Sequence, residues 1–135
     1  MTKRLKVIRN SNDTQNYLYM ILPICISSIA FGITLWIYFP GWLSPDSITQ
    51  YSQAISGEYS DWHPPVMAWW WKVLSIFGSG PAPLLTYFLI LYWASWTFFA
   101  IGLSKKIGIW SVLLPLFGFW PGLIMVLGNI WKDVF

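Results

Sequence analysis

Charged residues are what this chain has least of. Only 10% of its 135 residues are Asp, Glu, Lys or Arg, whereas 56% are hydrophobic and 20% are aromatic. Together with a mean hydropathy of +0.55, this composition is too apolar for an ordinary soluble domain and predicts an integral membrane protein. A chain of this length has room for one small helical bundle, but not for a separate soluble domain beside it.

Cysteine and histidine are each present only once. Cys25 lies inside an apolar segment, so one chain alone forms neither a disulfide framework nor a cysteine metal cluster. The formal net charge is +3, but the basic residues flank apolar segments, where orientation in a bilayer explains them better than nucleic-acid binding. We therefore expect membrane lipids, and no nucleic acid, as partners.

Three apolar segments are each long enough to cross a bilayer. They cover about Tyr17–Phe39, Pro81–Leu103 and Ile107–Leu127. The first lacks a signal-peptidase-like site and is expected to be an uncleaved signal anchor. The short connection at Ser104–Lys106 predicts that the last two segments form an antiparallel helical hairpin, with Pro115 and Pro121 kinking or locally opening the third.

The basic residues predict how the chain is oriented. Four lie before the first span and two lie between the second and third spans: Lys3, Arg4, Lys6, Arg9, Lys105 and Lys106. With three spans, all six fall on one side, which the positive-inside rule assigns to the cytoplasm. We expect a multi-pass protein of the inner or plasma membrane, with a cytoplasmic N-terminus at 1–16, a single membrane domain at 17–135 and an outward loop at 40–80.

The outward loop contains most of the acidic residues. Placing Asp46, Glu58 and Asp61 at the bilayer centre would cost about 2.5 to 3.5 kcal/mol for each. Ser44 as an N-cap and Pro45 at the first helical position predict a short amphipathic helix over about 45–56.

An apolar run containing Trp69–Trp71 predicts a second helix over about 64–77, which is too short to cross the membrane and suits the headgroup region. The expected fold is therefore an all-α membrane protein. It has three transmembrane helices, and two juxtamembrane interfacial helices lie between the first and the second.

Short motifs in and after this loop resemble a known family. They are Ser44-Pro45-Asp46, Gln50, the run GEYSDWHPP at 57–65, and Lys132-Asp133 after the third span. Together they resemble the N-terminal part of GT-C superfamily glycosyltransferases, closest in style to the protein O-mannosyltransferase and aminoarabinose-transferase branch. The resemblance implies hexosyl or pentosyl transfer from a polyprenyl-phosphate donor at the outer face of the membrane.

The resemblance also implies roles for particular residues. Asp46 matches the first catalytic acid and Asp133 the second, while Gln50, Asp61, His63 and Lys132 are expected to bind substrate. Inverting transfer needs a base for the acceptor's proton, and one carboxylate at the membrane surface suffices. Enzymes of this superfamily have many more spans, so the resemblance implies an inactive N-terminal fragment that requires its missing C-terminal part or another subunit.

The same residues have interpretations without catalysis. A carboxylate in the first helical turn, such as Asp46, is favoured by the helix dipole by about 0.3 to 1 kcal/mol. Asp61 and His63 suit a base and its orienting partner or a divalent metal, although their spacing is not that of a metal motif. No other cofactor is predicted, and Glu58 is expected to be a solvated turn residue. For the whole chain, the alternative is a small non-catalytic membrane protein that acts as an assembly partner or a lipid-carrier-binding accessory.

Overall fold

The structure is a computed structural model that describes residues 2–60 and 65–130, with side chains from residue 15 onward apart from Asn16. Its elements are α1 (Thr2–Tyr38), β1 (Trp42–Leu43), α2 (Pro45–Ser56), α3 (Pro65–Leu74), a 3₁₀ turn (Ser75–Phe77), α4 (Ala82–Ile107), a 3₁₀ segment (Gly108–Phe119), α5 (Pro121–Leu127) and β2 (Asn129–Ile130). Helices account for 84% of the structure, so the predicted helical class is confirmed. The two short strands are the exception that an all-α class does not include.

In the part of the chain that the structure describes, two helical stretches are long and apolar enough to cross a membrane. They are Tyr17–Tyr38, with a mean hydropathy of 2.1, and Ala82–Phe119, with a mean hydropathy of 1.6. The core helix of a soluble protein would be mostly buried, but only 22% and 28% of these apolar windows are covered by the rest of the protein. An apolar helix that the protein leaves uncovered is typical of a lipid-facing span.

The predicted third span differs from a continuous α-helix. α4 runs through Ser104–Lys106 to Ile107, and the chain turns at Gly108, whose φ of +58° favours glycine. The 3₁₀ segment that follows has 12 residues, whereas 3₁₀ runs longer than about four are uncommon. Pro115 lies inside this segment and Pro121 is the first residue of α5. The helical segment is interrupted immediately before Pro121, as predicted for that residue, whereas the 3₁₀ segment continues through Pro115.

Contacts divide the chain into two compact units, and the first comprises 1–31 and 92–120. In this unit the Tyr92 hydroxyl donates a 2.8 Å hydrogen bond to the Gly118 carbonyl, and the rings of Trp93 and Phe119 lie 5.0 Å apart. A Cβ at position 118 would lie 2.7 Å from the Trp93 ring, so only glycine permits this approach. These contacts show that the chain after Gly108 runs back along α4, as the predicted hairpin requires.

The second unit comprises 32–91 and 121–135. Here β1 and β2 form a parallel pair in which Trp42 lies opposite Asn129 and Leu43 lies opposite Ile130. The Tyr38 hydroxyl donates a 2.6 Å hydrogen bond to the Ile124 carbonyl, one of the acceptors that the C-terminal end of α5 leaves unpaired. The end of α1 is thereby joined to α5, and the start of the outward loop is joined to the chain that follows α5.

Candidate functional site

The N-terminus of α2 is closed by the cap that the sequence predicts. Ser44 Oγ accepts a 3.2 Å hydrogen bond from the Ser47 amide, and Pro45 occupies the first helical position. The helix ends at Gly57, which is left-handed with φ +76° and whose amide donates to the Gln53 carbonyl at 2.8 Å. The predicted bounds of this helix are therefore confirmed. Asp46 lies in its first turn with its side chain exposed.

Ser47 joins α2 to the end of β2. Its hydroxyl is buried and donates to the Ile130 carbonyl. A serine hydroxyl has only one proton, so in the 2.9 Å contact between the two serine oxygens the Ser44 hydroxyl is the donor. This chain of hydrogen bonds holds the start of α2 against β2, next to Asp46.

The face of α2 that packs against the protein is polar. Ser47 and Gln50 are only 1% exposed, whereas Ile48 and Ile55 are 55% and 60% exposed. The amide oxygen and nitrogen of Gln50 have no hydrogen-bond partner in the part of the chain that the structure describes. Gln53 is half satisfied, since its amide nitrogen donates to Ser60 Oγ at 2.8 Å. A buried group without a partner costs about 1 to 3 kcal/mol, so this polar face is not built for packing alone.

Aromatic residues connect the two loop helices to the turn before α4. The Trp71 indole N–H donates to the Gly80 carbonyl at 3.0 Å, and the Gly80 amide donates to the Tyr51 hydroxyl at 2.9 Å. The rings of Tyr51 and Trp71 lie 5.1 Å apart. Trp71 is fully buried and Trp69 is exposed, because successive residues of a helix point about 100° apart. The three residues Trp69–Trp71 therefore do not all face outward to act as headgroup anchors, because Trp71 is buried.

Lys72, a residue of α3, lies near the C-terminal end of α2. Its ammonium nitrogen is 3.1 Å from the position that a Cβ on Gly57 would occupy. A cation beside the last turn of a helix interacts favourably with the carbonyl groups there. Glu58 follows as an exposed non-helical residue, and its amide donates to Ser56 Oγ at 3.2 Å. The structure thus places Glu58 in the turn that the sequence predicts.

Of the residues predicted for the site, the structure places Asp46 and Gln50. The two lie one turn apart on α2, but Asp46 is exposed and Gln50 is buried. The other predicted residues, Asp61, His63, Lys132 and Asp133, lie outside the described residues. Among the side chains that the structure describes, no group of three from His, Cys, Asp or Glu is arranged to hold a metal ion.

Sequence reasoning missed the residues that join the outward loop to the chain after α5. These are Tyr38, Ser47 and Gly128. The Trp42 amide donates to the Gly128 carbonyl at 2.9 Å, and the Tyr38 ring lies where a Cβ on Gly128 would be. A two-residue strand is too short for a periodic pattern. The only local signal was Ser47 itself, at the position where a capping box has its second polar residue.

Comparison with known proteins adds no family to this description. No protein-family model matches the chain, and no match was found among curated proteins or solved structures. Any assignment of function therefore depends on the motifs in the sequence and on the geometry of α2, β1 and β2.

Proposed function

We propose that this chain is the N-terminal part of an integral-membrane glycosyltransferase that transfers a sugar from a polyprenyl-phosphate donor to an acceptor at the outer face of the membrane. The observation that carries the proposal is the parallel pairing of β1 with β2. Each strand is followed, three residues after its last residue, by one of the two acids that the family resemblance singles out, Asp46 and Asp133.

The register of the pair joins the segment before Asp46 to the segment after α5. Leu43 lies opposite Ile130, and in a parallel pair both chains leave the sheet at the same end. Asp46 lies in the first turn of α2, three residues after Leu43, whereas Asp133 lies outside the described residues. The hydrogen bond from Ser47 to the Ile130 carbonyl holds the two segments together at this point.

The proposed placement has three crossings of the membrane. α4 has 26 residues, or about 39 Å at helical rise, and the first apolar stretch has 22 residues, or about 33 Å. The 3₁₀ segment has 12 residues, or about 24 Å, and α5 has 7 residues, or about 10 Å. The third crossing is proposed from the apolar sequence of 107–127. The positive-inside rule then places the outward loop on the far side from residues 1–16.

The chemistry assigned to the acids is a single displacement. Asp46 accepts the proton of the acceptor hydroxyl as that oxygen bonds to the anomeric carbon of the sugar. The bond from that carbon to the lipid phosphate breaks on the opposite face, and the phosphate leaves with the electron pair. The lipid chain stays in the bilayer, so the reacting carbon lies at headgroup height. An exposed carboxylate in the first turn of an interfacial helix is within reach of that height.

The test is transfer of a radiolabelled sugar from polyprenyl-phosphate donors, measured in membranes that carry the intact gene. Asp46→Asn should lower the rate by about 10² to 10⁴, the usual contribution of a general base, and Asp133→Asn should lower it as well. Glu58→Gln is the matched control, because it removes an exposed carboxylate from the same loop and should leave the rate unchanged. The 135-residue chain alone should show little transfer, and robust turnover by it would contradict its assignment as a fragment.

Unchanged transfer in both Asn variants would remove the catalytic proposal. The alternative, a non-catalytic membrane protein that assists assembly or binds a lipid carrier, would then be the better account of the chain. If Glu58→Gln also abolishes transfer, the loss of rate would be explained by the overall charge of the loop and not by a specific role of Asp46 and Asp133.

A further inference from the structure

Two glutamine side chains lie buried one turn apart on α2. Gln50 is 1% exposed and Gln53 is 8% exposed, and residues three positions apart share one face of a helix. α2 packs mainly against α3, in which Ala68 and Trp71 are fully buried. The buried face of α2, with both amides on it, is therefore largely the face toward α3.

Three polar atoms of these two amides have no hydrogen-bond partner in the part of the chain that the structure describes. They are Oε1 and Nε2 of Gln50 and Oε1 of Gln53. A leucine or methionine has a similar volume and would avoid the free-energy cost of burying unpaired polar atoms. Because two neighbouring positions carry this cost, a binding role explains them better than packing does.

The fourth polar atom shows which kind of group the pair holds. Nε2 of Gln53 donates to the Ser60 hydroxyl at 2.8 Å, and Ser60 is exposed. One end of the glutamine pair is therefore already hydrogen-bonded to a hydroxyl group, at a residue that lies at the protein surface. A hydroxyl of a ligand that enters beside Ser60 would meet the same kind of partner.

We propose that Gln50 and Gln53 bind adjacent hydroxyl groups of a sugar. The unpaired atoms are two acceptors and one donor, so their ligand has to donate as well as accept. A carboxylate or a phosphate that is fully ionised only accepts, and an ammonium group only donates, so each leaves some of these atoms unpaired. A hydroxyl does both, and two neighbouring hydroxyls pair with the oxygen and the nitrogen of one amide.

This inference rests on the proposed function, because the sugar is that of the polyprenyl-phosphate donor or of a sugar acceptor. It adds which chemical groups of the substrate are recognised and which residues recognise them. Asp46 is exposed at the start of α2 and acts on the bond that is transferred, whereas the two amides on the buried face hold the sugar.

The experiment uses the side-chain amide signals of the glutamines. The chain has three glutamines, so selective ¹⁵N labelling of the 135-residue protein in nanodiscs gives three pairs of signals. Polyprenyl phosphate mannose should shift the signals of Gln50 and Gln53, while polyprenyl phosphate without a sugar should shift neither. Gln15, which is exposed on α1, is the internal control and should not move. Free mannose is the second probe: shifts with it alone identify an acceptor sugar as the ligand, and shifts with the lipid-linked mannose alone identify the donor.

Gln50→Met tests the residue itself, since it keeps the length of the side chain and removes the amide. It should weaken binding of the sugar probe roughly tenfold, the effect of losing about two hydrogen bonds. Without the probe, its thermal midpoint should rise, because two unpaired buried atoms are gone. Ser52→Ala is the control, since it removes a polar group from the exposed side of α2 and should change neither quantity.

Equal shifts with and without the sugar, or no shift with either mannose probe, would overturn the inference. So would cross-peaks from the Gln50 amide to water that neither mannose probe removes, because an internal water molecule would then be the partner. The proposed function fails separately. If Asp46→Asn abolishes transfer in the intact gene and mannose leaves the Gln50 signals unchanged, only this inference is wrong; shifted Gln50 signals with unchanged transfer in Asp46→Asn would support sugar binding and contradict the assigned base.

Discussion

Replacing Gly128 by alanine should detach the outward loop from the chain after α5. A Cβ at this position would lie 2.3, 2.8 and 3.0 Å from three carbons of the Tyr38 ring. The ring cannot simply swing away, because its hydroxyl holds the Ile124 carbonyl at 2.6 Å. Overpacking costs about 1 to 3 kcal/mol and the lost hydrogen bond about 1 kcal/mol, so we expect a cost of about 2 to 4 kcal/mol.

The Trp42 amide is a direct reporter of this change, because it donates to the Gly128 carbonyl at 2.9 Å. Hydrogen exchange followed by mass spectrometry should show faster exchange at Trp42, by roughly 30-fold for 2 kcal/mol. Gly32→Ala is the matched control, since Gly32 is an exposed residue of α1 with no atom within 4 Å of an added Cβ. Its effect should stay within about 1 kcal/mol, the difference in helix propensity.

A double-mutant cycle tests the cause. With Tyr38→Ala already in place, the added methyl group meets empty space, and the further cost of Gly128→Ala should fall below about 0.5 kcal/mol. If the full cost persists without the Tyr38 ring, the steric reasoning is wrong. If Gly128→Ala behaves like Gly32→Ala in the native background, the approach of the two segments is wrong as well.

Three further substitutions test the remaining contacts. Ser47→Ala should cost about 1 to 3 kcal/mol by leaving the β2 carbonyl unpaired, seen as faster exchange at the start of α2; Ser47→Thr keeps the hydroxyl and should recover most of it. Gly57→Ala should cost about 1 to 2 kcal/mol, because φ is +76° and the methyl group meets the Lys72 ammonium; an unchanged thermal midpoint in detergent would contradict this. Trp71→Phe keeps a ring but removes the donor to Gly80, so exchange in the turn at 78–80 should rise severalfold; unchanged exchange would exclude that hydrogen bond as the restraint.

The bounds of α2 could be predicted from the sequence because its signals are local. Ser44 caps the first turn. Pro45 suits the first helical position, because the backbone N–H that proline lacks would have no partner within the helix there. Gly57 adopts the left-handed conformation that ends the helix. Each of these preferences belongs to one residue and its immediate neighbours. The tertiary packing of α2 is compatible with these local preferences, so the predicted bounds are kept.

The parallel pairing of β1 and β2 could not be predicted in this way. The strands have two residues each and lie at opposite ends of the second unit's sequence. Hydrophobic alternation needs at least four residues to be recognised, so neither strand has a signature. Its stability depends on Gly128, whose lack of a side chain matters only once Tyr38 is known to lie against it.

For the third apolar segment the sequence signal was clear, but the structure it predicted was too simple. Hydropathy predicts a span over Ile107–Leu127 because it measures only polarity. The structure divides that segment into the 3₁₀ segment and α5, with the break immediately before Pro121. Proline indicated the break, but the twelve-residue length of the 3₁₀ segment follows from no local preference in the sequence.

The arrangement of α2 bears on where its acid lies. Ile48 and Ile55 are more than half exposed while Gln50 is buried without a hydrogen-bond partner in the described part of the chain. In water this arrangement is unfavourable for two reasons. Each exposed isoleucine loses most of the about 1.5 to 3 kcal/mol that its burial would contribute to stability, and the buried amide without a partner costs about 1 to 3 kcal/mol. In hydrocarbon the first penalty disappears. The membrane placement proposed above, with the exposed face of α2 against lipid and Asp46 at the level of the headgroups, therefore accounts for the two exposed isoleucines.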